Sequence, residues 1–332
     1  MASAPAQKTF TVGTRSSKLA LLQTDLVVNE LRKAYPDYKF EVLSKETAGD
    51  KNTTIAFREF TTKNLWTEEL EELLIAGKVD FIVHSLKDVP TLIPAECALG
   101  PMMKRADRRD VLVMKKGLPA QTLADLAPGS VVGTSSIRRT AQLARQYSHL
   151  KVINMRGNIG TRLAKLDAED SPYTCIILAA AGLLRLDLGD RISQYLDSEN
   201  GGMLYAVGQG ALGIEIRKDD KVMYDMLSNI GDEETTLECL AERNLLRILE
   251  GGCSAPLGVE TEWVQASDGS KKLRFKAIIV SVDGTESTEV EIDGAVDSPK
   301  SAEAFGETVA KALVADGAGK ILEAIQESKK SA

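Results

Sequence analysis

The sequence predicts an α/β protein with two similar βαβ lobes and a small C-terminal α+β domain. Strand-like and helix-like segments alternate through roughly the first two thirds of the 332 residues, which is typical of βαβ units around a mostly parallel sheet. A second cycle of this alternation starts near residue 110 and repeats a Gly-Thr-Ser turn of the first cycle. The remaining residues combine helices with an antiparallel hairpin.

The first cycle predicts strands and helices in regular alternation. Its first helix has apolar residues at helical spacing, including Leu19, Leu22 and Leu26. In chain order we expect a strand at 8–13, a helix at 16–35, a strand at 40–43, a helix at 65–76 and a strand at 79–84.

The second cycle and the C-terminal region follow the same kind of argument. Residues 115–128, which contain glycines and prolines, are interpreted as a crossover between domains, and Gly251-Gly252 is expected to end a helix. The hairpin is predicted around Asp283-Gly284. Expected strands lie at 110–114, 130–133, 151–155, 173–179, 214–217, 272–282 and 286–292, and expected helices at 137–147, 160–167, 235–250 and 301–326.

Composition excludes several classes of protein. The chain is 43% hydrophobic and 27% charged, as expected for a soluble folded protein, and its net charge of −7 does not favour a nucleic-acid partner. The longest apolar stretch, residues 175–184, is about half of the ~20 residues that a membrane helix needs. With two histidines a multi-histidine metal site is excluded, and no metal is expected.

Cysteine usage and the N-terminus favour a reducing, cytoplasmic compartment. The four cysteines are scattered, with no Cys-x-x-Cys pair, so neither a disulfide scaffold nor a zinc ribbon is expected. The first residues show no basic start and no apolar core of a secretory signal.

A glycine motif resembles a dinucleotide site but fails the test of context. Residues 208–213 match Gly-x-Gly-x-x-Gly, which requires a helix to follow. Residues 214–217 instead alternate apolar and polar side chains, as a strand does. We therefore interpret the motif as a glycine-rich bend between strands.

Two turns between strand and helix are candidate anion sites. Residues 12–17 and 132–136 both place Gly-Thr and serines at a predicted helix start, where free N–H groups attract anions. Ordinary helix capping is the alternative interpretation. Arginine side chains, which pair bidentately with carboxylates, concentrate at such junctions and favour a polyanionic ligand, with scattered surface salt bridges as the alternative. They are Arg15, Arg138, Arg139, Arg156 and Arg162.

Two further segments carry candidate chemistry. Lys87 and Asp88 follow a predicted strand, and ligands of open α/β sheets bind beyond the carboxyl ends of strands; a solvated surface turn is the alternative. Cys253 lies in a glycine loop just past a helix, which suggests an accessible thiol, although most free cysteines are small buried hydrophobes.

Together these segments resemble the porphobilinogen deaminase family, also called hydroxymethylbilane synthases. The matching segments occur in family order from about residue 10 to residue 258, and their combination is far more specific than any single motif. They are residues 13–20, 65–71, 84–90, 132–139, 156–158 with 161–162, 206–213 and 249–256.

The resemblance implies a fold and a reaction. The fold would consist of two periplasmic-binding-protein-like lobes that face a cleft, formed by residues 1–113 with 211–230 and by residues 114–210, and a third domain at 231–332. The reaction would deaminate four porphobilinogen molecules and join them head to tail into hydroxymethylbilane. The growing chain would be built on a dipyrromethane cofactor bound to a cysteine by a thioether.

The resemblance also implies roles for individual residues. Asp88 would be the catalytic carboxylate and Cys253 the point of cofactor attachment. Each pyrrole unit carries an acetate and a propionate, which explains a need for cations and turn donors. The implied substrate- and cofactor-binding residues are Arg15, Ser17, Gln23, Ser85, Lys87, Thr134, Ser135, Ser136, Arg138, Arg139, Arg156, Gly157, Arg162, Gln209 and Ser254.

The sequence departs from the family pattern before residue 67. Residues 51–62 lack the glycines expected of the family's mobile loop, and Trp66 stands where phenylalanine is usual. Lys63 and Trp66 are therefore only candidate loop contacts.

Other function classes compete with the deaminase. A non-catalytic two-lobe binding protein for small anions would explain the arginines but gives Cys253 no role. Another enzyme with a cysteine nucleophile and an acidic substrate is the second competitor. As the family is mostly monomeric, we expect a monomer.

Overall fold

The computed structural model describes residues 8–46, 67–249 and 255–330. Its strands are β1 (Thr9–Arg15), β2 (Lys39–Lys45), β3 (Phe81–Ser85), β4 (Cys97–Leu99), β5 (Asp110–Met114), β6 (Val131–Gly133), β7 (Lys151–Ile153), β8 (Cys175–Ala179), β9 (Gln194–Leu196), β10 (Leu212–Arg217), β11 (Leu257–Gln265), β12 (Lys271–Val280) and β13 (Ser287–Gly294). Its α-helices are α1 (Lys18–Ala34), α2 (Glu68–Ile75), α3 (Ile137–Gln146), α4 (Ile159–Asp167), α5 (Ala180–Arg185), α6 (Lys221–Ser228), α7 (Glu233–Ile248), α8 (Pro299–Ala315) and α9 (Ala318–Lys330).

The first compact unit contains the described parts of residues 8–105 and 211–236. Its five-stranded sheet has the order β2-β1-β3-β10-β4. Strand β1 is parallel to β2 and β3, whereas β10 is antiparallel to both of its neighbours. Strand β10, which begins two residues after Gly210, thus belongs to the sheet of the first unit.

The second compact unit contains residues 106–210 and the described residues after 236. Its larger sheet has the order β7-β6-β8-β5-β9, in which β6 is parallel to its neighbours and β5 is antiparallel to its own. This is the pattern of the first sheet, so the prediction of two similar α/β lobes is confirmed. In each sheet four of the five strands run in the same direction and one, β10 or β5, runs against them, so the expectation of mostly parallel sheets is confirmed.

The C-terminal region adds an antiparallel sheet, β11-β12-β13, to the second unit. Helices α7, α8 and α9 cover one core with this sheet, in which Phe275 and Phe305 meet edge to face at 6.0 Å between ring centroids. The predicted α+β character is thus confirmed. The domain boundaries at 113, 210 and 230 stay a prediction; strand β5 pairs within the second sheet.

Element positions differ from expectation at the C-terminus. The single helix predicted at 301–326 is two helices, because the chain turns at Gly317, whose φ of +109° is accessible to glycine but disfavoured for other residues. Strands β4 and β9, each three residues long, were not predicted. No helix of the described ranges has the length and apolar character needed to cross a membrane.

Close packing of α8 on α7 makes a testable prediction. A Cβ atom at Gly306 would clash with the backbone carbonyl of Ala241, which cannot rotate away as a side chain can. Gly306→Ala is therefore expected to lower the free energy of unfolding by about 1–3 kcal/mol. The control is Gly319→Ala in α9, where nothing lies within 4 Å of the added methyl group. Equal urea midpoints for the two variants would contradict this packing.

Candidate active site

The first unit brings Arg15 and Asp88 together at one edge of its sheet. Arg15 ends β1, and Asp88 lies in a 3₁₀ turn, Leu86–Asp88, directly after β3. Because β1 and β3 are parallel neighbours, their carboxyl ends meet at the same edge. Arg15 Nη1 lies 3.9 Å from Asp88 Oδ2, with the two side chains 20% and 37% exposed. The result is a solvent-accessible carboxylate beside a cation.

Neighbouring contacts hold this turn in place. The backbone N–H of Leu86 donates to the carbonyl of Ala211 at 3.0 Å. The Leu86 side chain is fully buried, and a Cβ atom at Gly213 would lie only 3.0 Å from its Cδ1. Gln23 of α1 bonds the Ser85 hydroxyl at 2.9 Å. Four residues expected to bind ligand therefore lie near the carboxyl ends of β1 and β3: Arg15, Ser85, Gln23, which bonds Ser85, and the half-buried Lys87.

The serines of the two repeated turns are helix caps. Ser17 Oγ accepts from the N–H of Ala20 at 3.3 Å, and Ser136 Oγ accepts from the N–H of Arg139 at 3.5 Å. Thr134 Oγ1, buried in the second turn, accepts from the N–H of Ser136 at 3.2 Å. Capping, the alternative interpretation, is thus present in both lobes. Anion binding by Ser17 and by residues 134–136 stays a prediction.

In the second unit, a buried carboxylate organises two of the predicted arginines. Arg138 Nη1 donates to Asp110 Oδ2 at 2.8 Å, and Arg139 Nη2 donates to Asp110 Oδ1 at 2.6 Å. Gln209 Nε2 donates to Asp110 Oδ1 at 2.8 Å. Asp110 is fully buried and the two arginines are about 5% exposed. Scattered surface salt bridges therefore do not describe this pair.

The electrostatics of Asp110 follow from these contacts. Burial alone disfavours its charged form, but the guanidinium groups of Arg138 and Arg139 outweigh burial and hold the pKa of the carboxyl well below its usual range. Asp110 is consequently ionised, and it keeps two cations inside the lobe.

The donor set of this lobe fits a carboxylate-rich cofactor such as dipyrromethane. The Nε–H groups of Arg138 and Arg139 are buried and have no hydrogen-bond partner within the described ranges. A buried donor without a partner is costly, and a ligand carboxylate would satisfy it. Arg156 is also buried, which lowers its pKa, and Arg162 Nε donates to the carbonyl of Gly157 at 2.7 Å.

Sequence reasoning missed two residues of this lobe. Asp110 was assigned only to a strand, although an aspartate after Arg108-Arg109 at the start of an apolar strand is a signal. Arg185 Nη2 donates to the carbonyl of Gly210 at 2.8 Å, and burial lowers its pKa to about 10. Arg185 ends the short helix α5, whereas the predicted arginines lie at junctions where a helix begins.

Four predicted residues lie outside the described residues: Lys63, Trp66, Cys253 and Ser254. The helix before the cysteine segment is nevertheless anchored. Glu242 of α7 is fully buried and accepts from the N–H of Gly208 at 2.7 Å and from Thr261 Oγ1 at 2.9 Å. The bend predicted from the glycine motif is thus tied to α7, and this motif is followed by β10 rather than by a helix.

The Asp110 cluster predicts a large and pH-dependent effect on stability. Asp110→Asn leaves two buried guanidinium groups without their counter-ion, so the free energy of unfolding is expected to fall by about 3–5 kcal/mol at pH 7. The folded pKa of Asp110 lies below its unfolded value, so this stabilisation is present above about pH 4 and is lost as pH falls through the folded pKa. Urea unfolding of both proteins across that range measures the difference.

Asp107→Asn is the matched control. Asp107 pairs with Arg109 at 2.7 Å, but the side chains are 22% and 37% exposed. Its loss should cost about 1 kcal/mol or less. Similar losses for the two variants would contradict the role given to Asp110.

Known proteins similar to this chain agree on one family. A model described as "Porphobilinogen deaminase, dipyromethane cofactor binding domain" matches residues 10–225, and one described as "Porphobilinogen deaminase, C-terminal domain" matches residues 236–315. The porphobilinogen deaminase of Yarrowia lipolytica is 54% identical over 319 residues, covering 95% of this chain and 92% of that protein.

Two further relatives give the same result. The porphobilinogen deaminase of Schizosaccharomyces pombe is 46% identical over 330 residues, covering 98% of each chain. That of Saccharomyces cerevisiae is 48% identical over 323 residues, covering 96% of this chain and 97% of that protein. The resemblance inferred from the motifs is confirmed, and the chain belongs to the porphobilinogen deaminase family.

Proposed function

We propose that this protein is a transferase that deaminates four porphobilinogen molecules and joins them head to tail into hydroxymethylbilane, in tetrapyrrole and heme biosynthesis. The observation that carries the proposal is the Arg15–Asp88 pair at the carboxyl edge of the first sheet, in a chain of this family. The dipyrromethane cofactor, when bound, supplies a free pyrrole α-carbon to which the first substrate is joined. A non-catalytic anion-binding protein is not favoured, because the family model is that of the cofactor-binding domain of an enzyme.

Charge explains the use of arginine in both lobes. Each substrate unit adds two carboxylates, and carboxylates that leave water need cationic or hydrogen-bonding partners. Arginine supplies both in a planar fork. We assign this role to Arg15 and Lys87 in the first lobe, and to Arg138, Arg139, Arg156 and Arg162 in the second, with Gln23, Ser85 and Gln209 as polar contacts.

Asp88 is assigned the central chemical role. When porphobilinogen loses ammonia, its pyrrole nitrogen becomes electron-poor, and a carboxylate placed there stabilises the positive charge. After the new carbon–carbon bond forms, the same carboxylate accepts the α-proton that must leave the ring. Exposure supports the choice: the Asp88 side chain is 37% exposed, whereas Glu71 and Glu215 of the same lobe are almost completely buried.

Elimination supports Cys253 as the attachment site. Burial raises the pKa of the Cys97 and Cys175 thiols to about 12, so neither supplies a thiolate readily. Cys239 is also buried.

We further propose that the enzyme acts as a cytoplasmic monomer, without a nucleic-acid or membrane partner. The absence of a nucleic-acid partner agrees with its net charge of −7.

The Asp88 assignment predicts a loss in the chemical step. Asp88→Asn removes the charge but keeps the size, so the single-turnover rate of cofactor-loaded protein should fall by about 10²–10³-fold or more. Substrate binding should change much less, because the charge develops during reaction. Asp88→Glu, which keeps a displaced charge, should retain more activity. The control is Asp37→Asn, an exposed carboxylate that precedes β2 at the opposite edge.

The outcome that contradicts this assignment is specific. If loaded Asp88→Asn protein turned over at the wild-type rate, or if Asp88→Glu were the slower of the two, charge stabilisation by Asp88 would be wrong.

The Cys253 assignment predicts a change in covalent mass. Cys253→Ala should give a folded protein that carries no pyrrole adduct and makes no hydroxymethylbilane, because the thioether has no sulfur. Cys175→Ala is the control: its thiol is fully buried in the second lobe, so the adduct should remain. The measurement is the intact mass of the denatured proteins. An adduct on Cys253→Ala would refute the assignment.

A further inference from the structure

Two buried ionisable side chains, His84 and Glu215, lie close to the turn Leu86–Asp88, which we call the catalytic turn. His84 Nε2 is 3.2 Å from Glu215 Oε2, and the side chains are 3% and 0% exposed. His84 is the penultimate residue of β3, and Glu215 is on β10, two positions along from the direct partner of His84, Gly213. The two residues are therefore diagonal neighbours across an antiparallel strand pair.

The pair lies on the face of the sheet opposite the main core of this lobe. Phe81 and Val83 of β3 belong to that core, whereas Ile82 packs with Leu70 and Leu74 of α2. Side chains alternate along a strand, so His84 shares the α2 face with Ile82.

Other titratable groups face the pair from each neighbouring element. Glu71 of α2 is 3% exposed, and its pKa is raised by burial and by the charge of Glu215, with a smaller contribution from Glu68. The pKa of the Cys97 thiol on β4 is also raised, by burial and by the charge of Glu215, with a smaller contribution from the adjacent Glu96. Within the described ranges no lysine or arginine forms an ion pair with Glu71 or Glu215, and His84 is the side chain that contacts the Glu215 carboxyl.

Such a cluster is not the most stabilising choice for a core. Replacement of a buried ion pair by well-packed apolar side chains is often neutral or stabilising. The pair shares its face of the sheet with an apolar cluster that includes Ile82 of β3 and Leu70 and Leu74 of α2. Polar side chains that are less stabilising than apolar ones are expected in a core mainly where the function of the protein requires them.

The catalytic turn depends mechanically on the same two strands. The turn begins at Leu86, the residue after β3, and the Leu86 N–H donates to the carbonyl of Ala211, just before β10. The Leu86 side chain packs against Gly213 of β10. A shift of β3 along β10 would therefore move Asp88 relative to Arg15, which is carried by β1.

We propose that His84 and Glu215 are positioning residues. Their buried hydrogen-bonded pair fixes β3 against β10 and thereby holds Asp88 at the position that its reaction requires. This inference rests on the function proposed above for Asp88. Neither residue touches substrate in this account.

The experiment compares kcat and KM for porphobilinogen in His84→Gln, Glu215→Gln and the double variant. Rates are expressed per cofactor-loaded enzyme, as counted by intact mass. Each single variant should lose about tenfold or more in kcat, since small misplacements of reacting groups cost up to about 10²-fold, while KM changes little. The double variant should lose no more than the worse single variant, because the two residues act as one unit.

Ile216→Val is the control for stability alone. Ile216 lies beside Glu215 on β10, on the opposite face, and its truncation should lower the melting temperature without changing kcat. If Glu215→Gln does not fold, Glu215→Asp keeps the carboxyl group but withdraws it from His84, and it should show the same loss in kcat.

Two outcomes overturn the inference. If the cofactor-loaded single variants kept the wild-type kcat and only their melting temperatures fell, the pair would contribute to stability alone. If the losses in kcat were additive in the double variant, the two residues would act separately. Wild-type protein that makes no hydroxymethylbilane would instead refute the proposed function, so the two failures are distinguishable.

Discussion

Strand β10 is the constraint on which the first lobe depends. It enters the sheet between β3 and β4 and runs antiparallel to both, after the chain has built the second lobe's large sheet. Ala211, the residue before it, accepts the hydrogen bond of Leu86 at the start of the turn that carries Asp88, Gly213 leaves room for the Leu86 side chain, and Glu215 contacts His84. Asp88 is thus positioned by two strands whose contacting polar residues are 131 residues apart in the chain. Local sequence around Asp88 does not determine its position alone.

In the second lobe, a buried carboxylate holds two guanidinium groups inside the fold. An arginine buried without a counter-ion would be costly, and Asp110 offsets that cost for Arg138 and Arg139 together. Both oxygens of Asp110 are used, yet an Nε–H of each arginine stays unsatisfied in the described part of the lobe. The arrangement therefore fixes the guanidinium planes and leaves a donor on each for the ligand carboxylates that we propose. Such preorganisation reduces the entropy that binding must offset.

The sequence predicted local features well and long-range pairings poorly. The strand at 110–114, the capped starts of α1 and α3, and the glycine bend before β10 all follow from patterns within a few residues. The contact of Asp110 with Arg138, and that of His84 with Glu215, join strands or helices distant in the chain, so periodicity gives no sign of them. Strands β4 and β9 exist because of their partners rather than their composition. Gly317 separates α8 from α9, but a single glycine is also tolerated inside a helix, so the sequence pattern did not reveal this break.

The intact mass of the wild-type chain, denatured after purification, tests the proposed chemistry most directly when it is measured before and after brief incubation with porphobilinogen. We expect a single dipyrromethane adduct, mapped by peptide analysis to Cys253, and a ladder of species that each add one pyrrole unit. A chain that carries no adduct when purified from cells with an intact tetrapyrrole pathway, and that gains none with substrate, would contradict it.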